Sequence, residues 1–181
     1  NMILMPIHTP PLDTRVGGER LTTQLVKIRC ENLPEIFDVI TVDDGQIVLE
    51  EYISGMSVAQ IMEFNRYHKQ GARHIMVALC HAMGVLHAKG LVHRDIKPEN
   101  VMISDSGKVV LIDFNASRQV SERSRDTVIM GTVGYVSPEQ LGLSQTDART
   151  DIYCLGATLY HLVTGMNPCE PPYEIKPIRE I

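Results

Sequence analysis

The stretch His93–Asn100, which reads HRDIKPEN, decides the fold of this 181-residue chain. The triplet Asp113–Asn115, which reads DFN, follows it after two short apolar runs at 101–103 and 109–112. Asp, Ser and Gly are concentrated in the connection between these runs, and such residues form turns. The pattern therefore predicts a strand–turn–strand unit that folds the triplet back beside the end of the first stretch.

This unit would collect four polar side chains in one small site. Asn100 and Asp113 offer the hard oxygen atoms that Mg²⁺ prefers. Asp95 adds another carboxylate, and Lys97 adds a cation two residues later. We therefore expect a compact site that has metal-ligating oxygen atoms and a positive charge side by side.

Three motifs carry a resemblance to a known family. The stretch HRDIKPEN resembles the catalytic loop of eukaryotic-type protein kinases, and DFN resembles their magnesium-binding DFG motif with its glycine replaced. The stretch Gly131–Glu139 is similar to the platform on which this family holds its substrate, and it ends in Ser-Pro-Glu instead of Ala-Pro-Glu. The motifs occur in the family's order, and the resemblance covers about residues 32–165. It implies an α+β, protein-kinase-like two-lobed fold.

The resemblance also implies how the chain is divided. A partial small β lobe with the hinge would occupy residues 1–53, and a mainly helical large lobe would occupy residues 54–181. Because a complete domain of this family is longer than this chain, the resemblance implies a domain that is truncated at both ends.

The resemblance assigns roles in phosphoryl transfer to three residues. Asp95 would be the catalytic base, which orients a substrate hydroxyl and accepts its proton. Lys97 would bring a positive charge to the γ-phosphate, and Thr132 would close the active-site side of the substrate platform. Lys97 together with Thr132 implies Ser or Thr as the acceptor in a protein substrate. Without the resemblance, these residues would be a turn aspartate, a surface lysine and a loop threonine.

ATP and Mg²⁺ are the cofactors that the resemblance implies. Asn100 and Asp113 would ligate Mg²⁺, although Asn100 by itself would also fit a helix or turn cap. Glu51–Ile53 resembles the hinge that binds adenine through its backbone, and Glu50 falls at the neighbouring gatekeeper position. We expect ATP to lie between the hinge and Asp113, with Lys97 at its phosphates.

Other residues are expected to support the site. His93 and Phe114 should pack in the interior, because their family counterparts belong to an internal column. Asp151 should accept hydrogen bonds from the backbone of the catalytic loop, cap a helix, or do both. Asn115 stands where the family has glycine, at a position that often needs left-handed backbone angles, and Asn tolerates these best after Gly.

The region after the DFN triplet is predicted to be a long polar loop at 116–132. Arg94 could pair with a phosphate on one of the hydroxyl groups of this loop. Without a phosphate, these hydroxyl groups would simply be solvated. These hydroxyl groups belong to Ser121, Ser124 and Thr127. Glu139 is expected to lack the arginine partner of its family counterpart, because that arginine lies beyond the end of this chain.

Hydrophobic periodicity, caps and turn residues predict the remaining elements. They are a short strand within 2–12, a helix at 13–31, a hairpin with strands at 36–42 and 46–52, a helix at 58–66 capped by Ser57, a helix at 71–89 stopped by Gly90, and an apolar helix at 151–164 stopped by Gly165. Gly55 is predicted to end the extended segment after the hairpin.

The match fails in the small lobe. No glycine-rich phosphate loop is found, and Gly17–Gly18 does not replace it. Lys27, the one lysine among the first 68 residues, stands in the predicted helix, whereas Met2 or Met5 falls nearer the place of the family's strand lysine. Glu19 is the nearest candidate for the helix glutamate that pairs with that lysine, and Gln24 is a rival.

These departures leave two principal interpretations. The first is a protein Ser/Thr kinase whose catalytic half is intact. The second is a pseudokinase or binding scaffold with weak or no phosphotransfer. A small-molecule phosphotransferase of the aminoglycoside-kinase type shares the Asp…Asn…Asp pattern, but it lacks the Lys97–Glu99 run and the Gly131–Glu139 platform.

Composition narrows the partners and the compartment. The net charge of −5, the isoelectric point near 5.8 and the absence of a basic run argue against nucleic acid or an anionic membrane surface as the main partner. Four cysteines without C-x-x-C spacing argue against a zinc site and favour a reducing, cytoplasmic location. No apolar run approaches the roughly 20 residues of a membrane span. An incomplete small lobe would leave apolar surface uncovered, so self-association is also expected.

Overall fold

The computed structural model describes residues 2–7, 21–42, 45–64, 69–120, 131–142, 144–171 and 177–180. The strands in this part are β1 (Met2–Ile7), β2 (Ile36–Val42), β3 (Gly45–Glu51), β4 (Gly55–Ser57), β5 (Leu91–Val92), β6 (Val101–Ser104), β7 (Val109–Leu111) and β8 (Arg118–Gln119). The α-helices are α1 (Leu21–Val26), α2 (Val58–Glu63), α3 (Lys69–His87) and α4 (Ala148–Thr164). Short 3₁₀ turns lie at Pro98–Asn100, Pro138–Leu141 and Ile178–Glu180.

The N-terminal sheet has the antiparallel order β1-β3-β2. The predicted hairpin is confirmed, because β2 and β3 pair in register with Ile40 opposite Ile47. The predicted short strand is β1, which pairs with the other side of β3. Its Pro6 lies in a strand that is at the edge of this sheet among the described residues, a position in which proline is tolerated.

Helix α1 is shorter than the helix predicted at 13–31. The predicted start of that helix falls within residues 8–20, which lie outside the described residues. The predicted end at residue 31 is wrong, because α1 stops at Val26. The residues that follow form hydrogen bonds that span only three residues, from Lys27 N to Gln24 O and from Ile28 N to Leu25 O. The Arg29 guanidinium donates to the Val26 carbonyl at 2.7 Å, which satisfies an acceptor that a longer helix would have used.

Helices α2 and α3 begin and end close to the predicted positions. Ser57 caps α2 in a reciprocal capping box with Gln60, as its position predicted. Gly90 follows α3 in the left-handed region, with φ 69°, and its N–H donates to the carbonyl of His87. The apolar face of α3 is buried in the core and lies against α4. Its fully buried members are Ile75, Leu79, Met83 and Leu86.

The second sheet has the order β4-β6-β7, and it confirms the predicted strand–turn–strand unit. Its first strand, β4, was not predicted. Gly55 begins this strand instead of ending the extended segment, with φ 152°, and a Cβ there would overlap the Ile103 carbonyl. The close approach of the two backbones therefore requires glycine at this position. A further two-stranded pair, β5-β8, was not predicted, and its second strand lies within the segment 116–132 that was predicted as a loop.

Helix α4 begins three residues earlier than predicted. Asp147 is its N-cap and accepts from the N–H of Arg149 at 2.8 Å, so the interpretation of Asp151 as a cap is wrong. Gly165 ends the helix with φ 73°, as predicted. Ile152, an apolar residue in the first turn of the predicted helix, is 59% exposed.

These elements form the predicted α+β, partial two-lobed kinase fold. The sheet β1-β3-β2 and α1 lie in the N-terminal part of the chain, and the longer helices and the two small sheets lie in the rest of it. Asn32 joins the two parts, because its side-chain N–H donates to the Val109 carbonyl and its own carbonyl accepts from Leu111 N, both at 2.9 Å. The division after residue 53 stays a prediction. In the described part of the chain, no helix is long and apolar enough to cross a membrane.

Candidate active site

The catalytic-loop stretch is held in shape by a buried carboxylate of α4. Asp151 is fully buried and accepts from the backbone N–H groups of His93, at 3.0 and 3.2 Å, and of Arg94, at 2.8 Å. Arg94 has φ 68°, which is costly for a residue with a Cβ, and the hydrogen bond to Asp151 helps to stabilise this conformation. Asp151 therefore holds the backbone of the loop, as predicted.

Two further contacts fix the same loop from the C-terminal side of the chain. The buried side chain of Gln140 donates to the Arg94 carbonyl at 2.8 Å, and the Thr158 hydroxyl donates to the Ile96 carbonyl at 3.1 Å. Neither residue was singled out from the sequence. Both side chains donate to backbone carbonyl groups of an irregular buried segment, where such acceptors need a hydrogen-bond donor.

Asp95, Lys97 and Thr132 meet in a single cluster. The Lys97 ammonium lies 3.0 Å from Asp95 Oδ2 and 2.5 Å from the Thr132 hydroxyl. The Thr132 hydroxyl donates to Asp95 Oδ1 at 2.9 Å. The side chains of Asp95 and Lys97 are 13% and 17% exposed, so the cluster is largely shielded but still reachable. The three residues that were predicted to be catalytic are thus in mutual contact, and their roles stay predictions.

Asn100 and Asp113 lie side by side at the ends of the β6–β7 unit. Asn100 Nδ2 donates to the Asp95 backbone carbonyl at 2.8 Å and to Asp95 Oδ2 at 2.9 Å, and the Asn100 backbone carbonyl accepts from Ile112 N at 2.8 Å. The amide group of Asn100 therefore turns its nitrogen towards Asp95. Its oxygen is left to ligate a cation or to accept a hydrogen bond. The position of Asp113 next to this residue is the one that the sequence predicted.

Asp113 itself adopts the unusual backbone conformation. Its φ is 70°, whereas the expectation placed left-handed angles at Asn115. That expectation is wrong by two positions, because Asp shares with Asn a short polar side chain that stabilises this region locally. Asp113 Oδ1 accepts from Asn115 N at 3.0 Å, a contact of this local type.

The donor set fits a magnesium ion that is shared with phosphate groups. No cluster of three or more His, Cys, Asp and Glu side chains could hold a metal in the described part of the chain. One carboxylate and one amide oxygen are nevertheless the kind of set that Mg²⁺ uses where phosphate and water complete its coordination. Asn100 and Asp113 would hold such an ion, and they leave its other positions to a nucleotide.

His93 and Phe114 pack against each other in the interior, as predicted. Their ring centroids are 5.4 Å apart at 55°, and the exposed fractions are 0% and 7%. Burial lowers the pKa of His93, and the carboxylates of Asp151, Asp95 and Asp113 oppose this effect only in part. The ring is therefore neutral and acts as a packing element.

The predicted hinge lies at the end of β3. The Glu51 N–H donates to the Glu35 carbonyl at 2.8 Å, so it is not available to a ligand. Ile53 lies outside the strands, and within the described residues its N–H has no protein acceptor. Of these two backbone N–H groups, only that of Ile53 can donate to a ligand.

Glu50 precedes the hinge and is 7% exposed. Burial, and secondarily the charge of Asp113, raises its pKa to about 7. This charge interaction is consistent with a cleft in which the hinge faces the metal ligands. The predicted nucleotide site therefore contains the carboxyl groups of Glu50 and Asp113 close enough to interact.

Of the small-lobe candidates, Lys27, Gln24 and the two methionines of β1 lie in the described part of the chain. Lys27 follows α1 at the surface, and residues 2–5 lie in β1. Glu19 lies outside the described residues. The side-chain oxygen of Gln24 is buried without a hydrogen-bond partner.

Glu139 and Arg94 each contact another part of the described chain. Glu139 has a partner, because it accepts from the Thr150 hydroxyl at 2.8 Å. Arg94 Nε donates to the Ala116 carbonyl at 2.6 Å. The hydroxyl groups that Arg94 was expected to reach through a phosphate, on Ser121, Ser124 and Thr127, lie outside the described residues.

A two-lobed fold with these three motifs defines the class of the protein-kinase-like phosphotransferases. The sequence comparisons specify it further, because residues 13–179 match the family of the protein kinase domain. The chain belongs to this family.

Several bacterial proteins resemble the chain. A probable serine/threonine-protein kinase of Corynebacterium efficiens is 35% identical over 157 residues, which cover 82% of this chain and 23% of that protein. A probable serine/threonine-protein kinase of Clostridium perfringens is 33% identical over 149 residues, which cover 81% and 22%. The serine/threonine-protein kinase PknB of Mycobacterium leprae is 35% identical over 130 residues, which cover 70% and 20%. The chain thus spans about a fifth of the length of the curated relatives it matches.

Proposed function

We propose that this chain is the catalytic part of a protein serine/threonine kinase, which transfers the γ-phosphate of ATP to a Ser or Thr hydroxyl of another protein. The observation that carries this proposal is the mutual contact of Asp95, Lys97 and Thr132 beside Asn100. In the reaction the acceptor oxygen forms a bond to the γ-phosphorus, the bond from that phosphorus to the β–γ bridging oxygen breaks, and ADP leaves. The hydroxyl proton passes to Asp95.

Asp95 has one carboxylate oxygen to spare for this task. Oδ2 accepts from Lys97 Nζ and from Asn100 Nδ2, so both of its lone-pair positions are used. Oδ1 accepts only from the Thr132 hydroxyl among the described contacts. A substrate hydroxyl would therefore donate to Oδ1, next to Thr132, and its proton would move to that oxygen.

Lys97 is positioned to contact the γ-phosphate group during its transfer. Its ammonium group has three N–H bonds, and Asp95 and Thr132 take two of them. The third is left for a γ-phosphate oxygen, where a point charge stabilises the charge that develops during transfer. The same lysine would therefore contact the acceptor site and the donor phosphate.

The nucleotide would be bound at both ends of the cleft. Asn100 and Asp113 would hold Mg²⁺ at one end, where the ion would supply charge neutralisation for the phosphates. The adenine end would lie at Glu51–Ile53, where the Ile53 N–H is left without a protein acceptor among the described residues. We assign the reaction to the cytoplasm, because the four cysteines are free thiols. We assign a protein as the substrate, because the net charge of −5 does not suit nucleic acid.

Nucleotide binding is tested first. We expect millimolar MgATP to raise the unfolding temperature, because a ligand at 100 times its Kd stabilises the folded state by roughly 2.7 kcal/mol. Asp113→Asn should reduce this shift, since one metal ligand loses its charge. The absence of any shift in the unsubstituted chain would refute nucleotide binding.

Transfer is tested with radiolabelled ATP and a generic basic protein as acceptor. We expect Asp95→Asn to abolish phosphate incorporation and to keep the thermal shift with MgATP. Asp105→Asn, in the exposed turn between β6 and β7, is the matched control and should keep full activity. An unsubstituted chain that binds MgATP but transfers no phosphate would instead support the scaffold interpretation.

A further inference from the structure

A cavity lies beside the predicted hinge, where three parts of the chain meet. Residues 28–30 and 33–35, at the connection between α1 and β2, line most of it, and Glu51 at the end of β3 and Lys108 directly before β7 complete the lining. Its volume of about 250 Å³ lies below the roughly 300–1,000 Å³ of pockets for drug-sized molecules. The cavity therefore has the size for a small metabolite, and none of the roles described above uses it.

The base of the cavity is apolar and held in place. Ile28 and Leu33 are 7% and 3% exposed, and Pro34 beside them is buried. The turns that carry them are closed by hydrogen bonds from Ile28 N to Leu25 O, at 3.0 Å, and from Leu33 N to Cys30 O, at 3.2 Å. This base offers a surface to an aliphatic group, and each methylene group that a ligand buries there strengthens binding about fourfold.

The rim of the cavity carries one cation and one carboxylate oxygen that have no partner in the described part of the chain. The backbone N–H of Lys108 donates to Ser104 Oγ, but its ammonium group has no acceptor there. Glu51 Oε2 accepts from Glu35 N at 3.2 Å, which leaves Oε1 without a donor among the same residues. The other two charged groups of the lining, Arg29 and Glu35, form an ion pair at 3.2 Å.

We infer that this cavity is a binding site for a small α-amino acid with an aliphatic side chain. The ammonium group of the ligand would face Glu51, its carboxylate would face Lys108, and its side chain would pack on the apolar base. A ligand with a single charge would leave one of the two rim charges without a partner, whereas a zwitterion matches both. The inference does not rest on the proposed function, because it uses the carboxylate of Glu51 and not the backbone of the hinge.

Calorimetric titration of the unsubstituted protein with L-leucine tests the site. We expect saturable binding of one molecule per chain, and L-alanine, which has a shorter side chain, should bind at least about 10-fold more weakly. Saturating MgATP should leave the affinity for L-leucine within about twofold, because the two sites are separate. The absence of saturable binding, or its loss when MgATP is added, would overturn the inference. A chain that binds no MgATP would contradict the proposed function alone.

A charge reversal tests how the ligand is recognised. Lys108→Glu should weaken the binding of L-leucine about 10-fold, because an attraction between exposed charges becomes a repulsion. The same variant should not weaken the binding of L-leucinamide, which keeps the ammonium group and has no carboxylate. Lys89→Glu, at an exposed lysine between α3 and β5, is the matched control and should leave both affinities unchanged. Equal losses for the two ligands in Lys108→Glu would overturn the inference.

The cysteines report the location of the ligand without any substitution. Cys30 lines the cavity, whereas Cys80 of α3 is exposed elsewhere. At twice its Kd, L-leucine should slow the alkylation of Cys30 by iodoacetamide about threefold, because the occupied cavity shields this residue. Cys80 should react at its original rate and is the internal control. An unchanged rate at Cys30, or equal slowing at both cysteines, would refute binding in this cavity.

Discussion

Replacing Glu50 by glutamine should stabilise the protein at pH 8 and change its stability little at pH 4. Glu50 lies in β3 and is 7% exposed, and burial, followed by the charge of Asp113, raises its pKa to about 7 from an ordinary 4.5. The folded state therefore binds the Glu50 proton more tightly than the unfolded state does. The unsubstituted protein must lose stability as pH rises from about 4.5 to about 7, and no further stability is lost to this group above that interval.

The size of the effect follows from the interval between the two pKa values. The difference of about 2.5 between 4.5 and 7, at roughly 1.36 kcal/mol per pH unit, corresponds to about 3 kcal/mol. Glutamine has no charge to bury at any pH, so Glu50→Gln should recover this amount at pH 8. Protonated Glu50 and glutamine are both neutral, so the two proteins should have similar free energies of unfolding at pH 4.

Urea denaturation at several pH values between 4 and 8 measures this difference. Glu63→Gln, at an exposed position of α2, is the matched control and should follow the unsubstituted protein at every pH. The dependence of the free energy on urea concentration should be the same in all three proteins, so that a shifted midpoint reports stability alone. A constant offset between Glu50→Gln and the unsubstituted protein across this range would refute the argument, because the offset would then not arise from a titrating carboxyl group.

Two further predictions concern backbone and cap positions. Gly134→Ala should cost roughly 2–4 kcal/mol, because φ is 90° and the new Cβ would lie 2.5 Å from the Pro168 carbonyl oxygen. Gly165→Ala, with φ 73° and open space around the Cβ, should cost only about 1 kcal/mol, and thermal unfolding compares the two; equal losses would contradict the assignment of the steric overlap. Asp147→Ala should cost about 1 kcal/mol at pH 7 through the lost helix cap. The Arg149 guanidinium holds the pKa of Asp147 below its ordinary 3.8, so this contribution is present at neutral pH and is lost as pH falls below that value. Denaturation at pH 7 and pH 3 should therefore show the difference shrinking, and a difference that is equal at both pH values would count against the role of the ionised cap.

The elements that could be predicted from the sequence are those with local signals. The capping box at Ser57 and the left-handed glycines Gly90 and Gly165 depend on residues within one turn, so the pattern contains the whole interaction. Strand β4 has only three residues, and it is a strand because β6 lies beside it, more than forty residues later in the chain. No periodicity can develop in so short a segment.

The same distinction applies to the candidate site. The polar groups of Asp95, Lys97 and Asn100 stand within six residues, so their grouping was visible in the sequence. The contact between His87 and Asp151 spans 64 residues, and one histidine at the end of a helix gives no indication of its partner. Contacts of this kind depend on how α3 and α4 pack, which hydrophobic periodicity restricts but does not specify.

The anchors of the catalytic loop also set the order in which it can acquire its shape during synthesis. Asp151 follows His93 by 58 residues, and Thr158 follows Ile96 by 62. At roughly 5–20 residues per second, a ribosome needs about 3–12 s to add the residues between them. Throughout that interval the nascent chain already contains Asp95 but not the helix that supports it, so the active shape can be reached only after α4 has left the ribosome.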